Sequence, residues 1–117
     1  MSRILVVDDD SVLRSILSDA LREAGYDVDC ACNGLQALTA IRKHRPDAMV
    51  LDVAMPIMDG PTLIRNLRDQ TKWGAVPVVV ISGQSEPEAV GARIGARACL
   101  AKPLDLRRLL ACVEAIA

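Results

Sequence analysis

Three short stretches are apolar at nearly every position: residues 3–7 (Arg-Ile-Leu-Val-Val), 47–51 (Asp-Ala-Met-Val-Leu) and 76–81 (Val-Pro-Val-Val-Val-Ile). Continuous aliphatic runs, rather than alternation of apolar with polar, predict strands covered on both faces and hence a parallel sheet. After the first run the spacing changes. Leu13, Ile16, Leu17, Ala20, Leu21 and Ala24 recur every three or four residues, which predicts a helix closed by Gly25 in a left-handed cap. A second helix is expected over 35–44, burying Leu35, Leu38 and Ile41 and stopping ahead of Pro46, because a residue before proline resists helical geometry. A third should start near Pro61 and bury Leu63, Ile64 and Leu67. A fourth, from near Pro87, is weakened by Gly91 and Gly95, each costing roughly 1 kcal/mol relative to alanine. The last runs from about Asp105 almost to Ala117. Adding shorter strands at 27–31 and 98–101 yields five β-α repeats, and right-handed crossovers then put helices on both faces of one sheet. The expected fold is a doubly wound α/β sandwich. With no linker or low-complexity segment, residues 1–117 are expected to form one domain without a separate output domain.

Composition agrees with a full core: of 117 residues, 51% are hydrophobic and 25% charged. Fourteen Lys+Arg against 15 Asp+Glu give a net charge of −1, so there is no global positive field to attract a phosphate backbone. With 2% aromatics, base stacking has almost no platform either, and nucleic acid is not expected as a partner. No apolar run approaches the roughly 20 residues that span a bilayer, so no membrane association is expected and the cytoplasm is the default compartment. Four cysteines with one histidine make no zinc pattern; Cys30, Cys32, Cys99 and Cys112 read as reduced, small buried residues. The basic run Arg42-Lys43-His44-Arg45 suits the carboxyl end of a helix dipole.

Chemistry gathers at the strand ends, where open α/β sheets bind ligands. The first strand ends in Asp8-Asp9-Asp10, the third in Asp52, the fourth in Ser82-Gly83 and the fifth in Lys102-Pro103. The triplet reads in part as a solvated turn that caps the first helix, with Asp10 or Ser11 accepting backbone N–H bonds, and capping accounts for one of its members. Three in succession exceed what a cap needs. If the first and third strands are neighbours, Asp8, Asp9 and Asp52 crowd together, and a divalent cation relieves the repulsion. Hard oxygen donors favour Mg²⁺ over zinc. The first loop lacks the glycines of a dinucleotide or Walker site. A glycosidase-like carboxylate pair is possible on spacing but leaves Ser82 and Lys102 without tasks.

These marks, Ile4 to Asp10, Leu51-Asp52-Val-Ala-Met55-Pro56 with Asp59-Gly60, Val79 to Ser82, and Lys102-Pro103, occur together in order. The chain in this respect resembles the receiver domains of two-component response regulators, especially the single-domain chemotaxis type, over its whole length. The resemblance implies a flavodoxin-like sheet of order 2-1-3-4-5. It implies that Asp52 accepts a phosphoryl group from a sensor histidine kinase, a histidine phosphotransfer protein or a small phosphodonor. Asp9 and Asp52 would hold Mg²⁺ with the Ala54 carbonyl, and Asp8 through water. Lys102 would balance the phosphoryl oxygens, Ser82 would hydrogen-bond them, and a cis Lys102-Pro103 peptide would be usual. Signalling would run through contacts with an unidentified protein target. Any catalysis would be limited to the chain's own phosphoryl transfer and loss.

Two features depart from that pattern. Relatives usually place Tyr or Phe three residues before the lysine; here Cys99 offers no ring to turn inward, so another element, the glycine-punctuated fourth helix at 86–94, is expected to report phosphorylation. Ala54 and Gln84, two residues beyond Asp52 and Ser82, flank the route of an attacking water in relatives and are expected to set the phosphoryl lifetime. Two other readings compete. A haloacid-dehalogenase-type phosphohydrolase would want a second Asp where Ala54 stands; a degenerate, phosphorylation-independent receiver would not need the full acidic set.

Overall fold

The computed structural model describes residues 2–52, 76–82 and 96–117. The predicted third and fourth helices, and with them Ala54, Met55, Pro56, Asp59, Gly60, Trp73 and Gln84, lie outside these residues, as does the Ser82 side chain. The elements in chain order are β1 (Arg3–Val7), α1 (Ser11–Glu23), β2 (Asp27–Ala31), α2 (Gly34–Lys43), β3 (Ala48–Asp52), β4 (Val78–Ser82), β5 (Ala98–Ala101) and α3 (Leu106–Ile116). All strand pairs are parallel and the sheet order is β2-β1-β3-β4-β5, the flavodoxin-like order that the resemblance implied.

The alternating side chains of these strands build two cores. Leu5, Val7, Met49, Leu51, Val78 and Val80 pack with Ala37, Leu38 and Ile41 of α2. Ile4, Val6, Ala48, Val50, Val79, Ile81 and Leu100 pack on the other face with Leu17 and Leu21 of α1 and Leu109 and Val113 of α3. Both layers are needed because a parallel sheet with apolar residues on each face must be covered twice.

Local chemistry fixes the element ends. The Asp10 carboxylate accepts from the N–H groups of Val12 and Leu13 and caps α1. Asn33 and Asp105 cap α2 and α3 in the same way. Gly25 adopts φ +99°, while its N–H donates to the Arg22 carbonyl and the Tyr26 N–H to that of Leu21. This double bond pattern ends α1 in the left-handed cap expected from the sequence.

The structure corrects several expectations. β3 starts at Ala48 because the Asp47 N–H leaves the ladder to donate to the Arg3 carbonyl, and β4 starts at Val78 because Pro77 has no N–H to pair. Leu35 is 51% exposed: α2 covers the sheet with Gly34, Ala37, Leu38 and Ile41, a stripe that leaves Leu35 turned about 100° away. Ile16 on α1 is likewise exposed. The cysteines form no disulfide but are not buried; Cys30 is exposed because β2 is an edge strand, and Cys32 lies past its end.

Candidate functional site

Parallel pairing alone brings the acids together. Val7 lies opposite Leu51, so one step further along each strand Asp8 faces Asp52. Continued past the strand ends, the alternation that sends Ile4 and Val6, Ala48 and Val50, and Leu100 to the α1/α3 side also carries Asp8, Asp52 and Lys102. Asp8, Asp9 and Asp52 each offer a carboxylate oxygen, all within 4.8 Å of one another. Asp8 is fully buried, Asp52 nearly so at 4% exposed, and Asp9 is open to solvent.

Each carboxylate is held differently. The Asp8 N–H donates to the Ala31 carbonyl at 3.1 Å, and its Oδ1 accepts from the Asp10 N–H at 2.9 Å. Its Oδ2 is buried without a hydrogen-bond partner among the described residues. Burial pushes the Asp8 carboxyl up from 3.8 to about 6; the Asp10 N–H opposes this, and the Asp52 charge adds to it. Lys102 reaches across the sheet from the end of β5 and donates from Nζ to Asp52 Oδ2 at 2.9 Å. That bond raises the ammonium above its ordinary value against the opposing effect of burial. The Lys102–Pro103 peptide is cis. Ser82 ends β4 and pairs with Ala101, which sets its backbone between the Asp52 and Lys102 strands.

An orphaned oxygen in a buried carboxylate is costly, and a hard cation among three carboxylates would satisfy it. The donor set is all oxygen, which fits Mg²⁺ rather than a soft metal. Asp8, Asp9, Asp52 and Lys102 are therefore brought together as expected, while Cys99 lies partly buried on the opposite, α2-facing core. Sequence reading gave no role to Arg14, whose Nη1 donates to the Asp8 carbonyl at 2.8 Å and braces the acidic turn. Its signal was an arginine one turn into a helix that follows an acid triplet. No helix among the described residues is long and apolar enough to cross a membrane.

Comparison with known proteins points the same way. The family described as "Response regulator receiver domain" matches residues 4–114. Transcriptional regulatory protein PrrA of Mycobacterium bovis is 40% identical over 116 residues, covering 97% of this chain and 49% of PrrA. The DNA-binding dual master transcriptional regulator RpaA of Synechocystis is 35% identical over 118 residues, 99% of this chain and 49% of RpaA. The chain thus spans about half the length of these curated relatives. Among solved structures, chemotaxis protein CheY4 of Vibrio cholerae superposes with a TM-score of 0.91 at 32% identity, covering 100% of this chain and 99% of CheY4. A putative response regulator from Chloroflexus aurantiacus superposes with a TM-score of 0.90 at 36% identity, covering 98% and 96%.

Proposed function

The chain belongs to the response regulator receiver domain family of two-component signalling, and on that premise we propose that Asp52 is its phosphoryl acceptor. The observation that carries the assignment is the convergence of three carboxylates within 4.8 Å, one of them bonded to Lys102 at 2.9 Å, at the carboxyl edge of the sheet. A receiver activated by phosphorylation fits this family better than a dehalogenase-type hydrolase or a degenerate receiver.

In the proposed reaction an Asp52 carboxylate oxygen attacks the phosphorus of a phosphohistidine. The new P–O bond forms as the P–N bond breaks, and the imidazole leaves with the electron pair of that bond. Phosphoryl transfer asks little of the protein beyond alignment and charge neutralisation. Asp8, Asp9 and Asp52 would hold Mg²⁺, which when bound neutralises charge on the phosphoryl oxygens. Lys102, already within hydrogen-bond distance of Asp52, supplies a second positive charge that passes from the carboxylate to the phosphoryl group. Arg14 and the Asp10 N–H keep the Asp8 turn rigid while this happens. Ser82, at the end of the intervening strand, is assigned the hydrogen bond to the transferred group, and the Ala54 carbonyl the remaining metal contact.

The phosphodonor is a histidine kinase or histidine phosphotransfer protein, and the output is a changed protein-contact surface. The transcriptional roles in the names of PrrA and RpaA belong to those longer proteins. Incubation with acetyl phosphate and Mg²⁺, followed by intact-mass measurement, should show one added phosphoryl group that Asp52→Asn and metal chelation each abolish. Retention of the group in Asp52→Asn would move the acceptor elsewhere, and repeated release of phosphate from varied esters would favour the hydrolase.

A further inference from the structure

Away from the acidic rim, α1 and the exposed edge strand β2 enclose a groove of about 300 Å³ lined by Ser11, Arg14, Ser15, Ser18, Arg22 and Cys30. Positions 14, 18 and 22 follow a spacing of four and so form one stripe along the helix. Ser18, almost fully buried, forms the floor: its hydroxyl donates to the Arg14 carbonyl at 2.7 Å, so the Cys30 thiol, 2.9 Å away, donates to Ser18 in turn. The floor therefore has no unmet polar atom.

The walls do. Arg14 and Arg22 are each bonded to one backbone carbonyl, Asp8 at 2.8 Å and Val28 at 3.4 Å, and a guanidinium carries five N–H donors. Among the described residues neither meets a carboxylate within ion-pair distance. Among the described residues no acid lines the groove. Asp19 and Glu23 sit one residue past Ser18 and Arg22, turned about 100° around the helix, and the Asp29 carboxylate is engaged by Arg3. The two guanidinium-bearing positions are two helical turns apart, about 12 Å along the axis, with the serines and the thiol between them.

We propose that this groove binds a small molecule bearing two oxyanion groups, one held by Arg14 at the end nearest the acidic turn and the other by Arg22 at the far end. Arginine is the side chain suited to this, because its planar fork matches the oxygens of phosphate and carboxylate alike. The serine hydroxyls supply further donors along the span. Since Arg14 also carries the Asp8 carbonyl, a ligand on its remaining donors touches the same side chain that braces the acidic turn.

The test is a titration of the full chain, free of divalent metal, with inorganic pyrophosphate and separately with citrate, followed by amide chemical shifts. Saturable shifts confined to 11–22 and 28–30 are expected. Arg22→Gln, and independently Ser15→Asp, which introduces a repelling charge without removing either arginine, should each weaken binding roughly tenfold or more. Arg107→Gln on α3 should leave it unchanged. Saturation by pyrophosphate alone or by citrate alone supports the site and identifies phosphate or carboxylate as its chemistry. Shifts centred on Asp52 and Lys102, affinity indifferent to both groove variants, or no saturation with either probe would overturn it.

Discussion

The two ends of the sheet are made from the same five strands and meet opposite fates. At the amino end, the edge is tied by bonds between neighbouring strands and their connections: Arg3 N–H on Asp47 Oδ2 at 2.7 Å, Arg3 Nη1 on Asp29 Oδ2 at 2.8 Å, and the Asp27 N–H on the Ser2 carbonyl at 3.0 Å. At the carboxyl end the chain buries Asp8 and Asp52 side by side and leaves one Asp8 oxygen without a partner among the described residues. The amino end is built for stability; the carboxyl end gives stability up to hold charge where chemistry needs it. Substitution at the two ends should therefore have opposite signs.

The largest effect is expected from Asp8→Asn. A carboxyl raised from 3.8 to about 6 is worth about 3 kcal/mol against the folded state once ionised. Asparagine keeps an oxygen for the Asp10 N–H and replaces the buried negative charge beside Asp52 with a neutral amide. In metal-free buffer at neutral pH the variant should be more stable by roughly 1–3 kcal/mol in urea unfolding, and it should lose its response to Mg²⁺. A loss of stability would mean that Asp8 is not strained in the native protein.

The same group sets a pH dependence. Because the folded pKa lies above the unfolded one, the native state binds the proton more tightly; its stabilising contribution is complete below about pH 4 and is lost as pH rises through about 6. The stability of the metal-free wild type minus that of Asp8→Asn should fall across this window and then level off. Mg²⁺ affinity should move oppositely, rising through about pH 6 as the proton leaves. A flat difference curve would assign the acidic behaviour to other groups.

How much of this contrast was legible beforehand depends on whether a feature is local. The strand runs, the cap at the start of α1 and the Gly25 turn are written in neighbouring residues, and they formed close to where expected, with β3 and β4 starting one and two residues late. The gathering of Asp8, Asp9, Asp52 and Lys102 could be read because strand ends in parallel sheets share one edge. Three things could not be read. The exposure of Leu35 depends on which stripe of α2 meets the sheet, the exposure of Cys30 on β2 being an edge, and the unpartnered Asp8 oxygen on what surrounds a buried group in space. None of these leaves a periodicity in the chain.

A smaller effect should come from Gly25→Ala at the amino end. An added Cβ would meet no atom within 4 Å, so the cost is purely conformational, about 1 kcal/mol for an L-residue at φ +99°. Phosphorylation of Asp52 should be unaffected, since the turn lies at the other end of α1. A loss of several kcal/mol would show that the turn carries packing that the present geometry does not contain.

The smallest effect is expected from the ion pair Arg3–Asp29, and it is the sharpest check on the contrast because its geometry is as good as that of Lys102–Asp52. The two bonds measure 2.8 and 2.9 Å. Their environments differ: the Arg3 and Asp29 side chains are 31% and 35% exposed, whereas Asp52 retains 5%. Water and salt screen the first pair from both sides, so a double-mutant cycle through Arg3→Leu and Asp29→Asn should return below about 1 kcal/mol of coupling, fading further at high ionic strength. The Arg3 N–H bond to Asp47 survives in every variant of the cycle, since it comes from the backbone. If the coupling instead equalled that between Lys102 and Asp52, distance rather than burial would govern both pairs, and the division of the sheet into a stable end and a chemical end would lose its electrostatic basis.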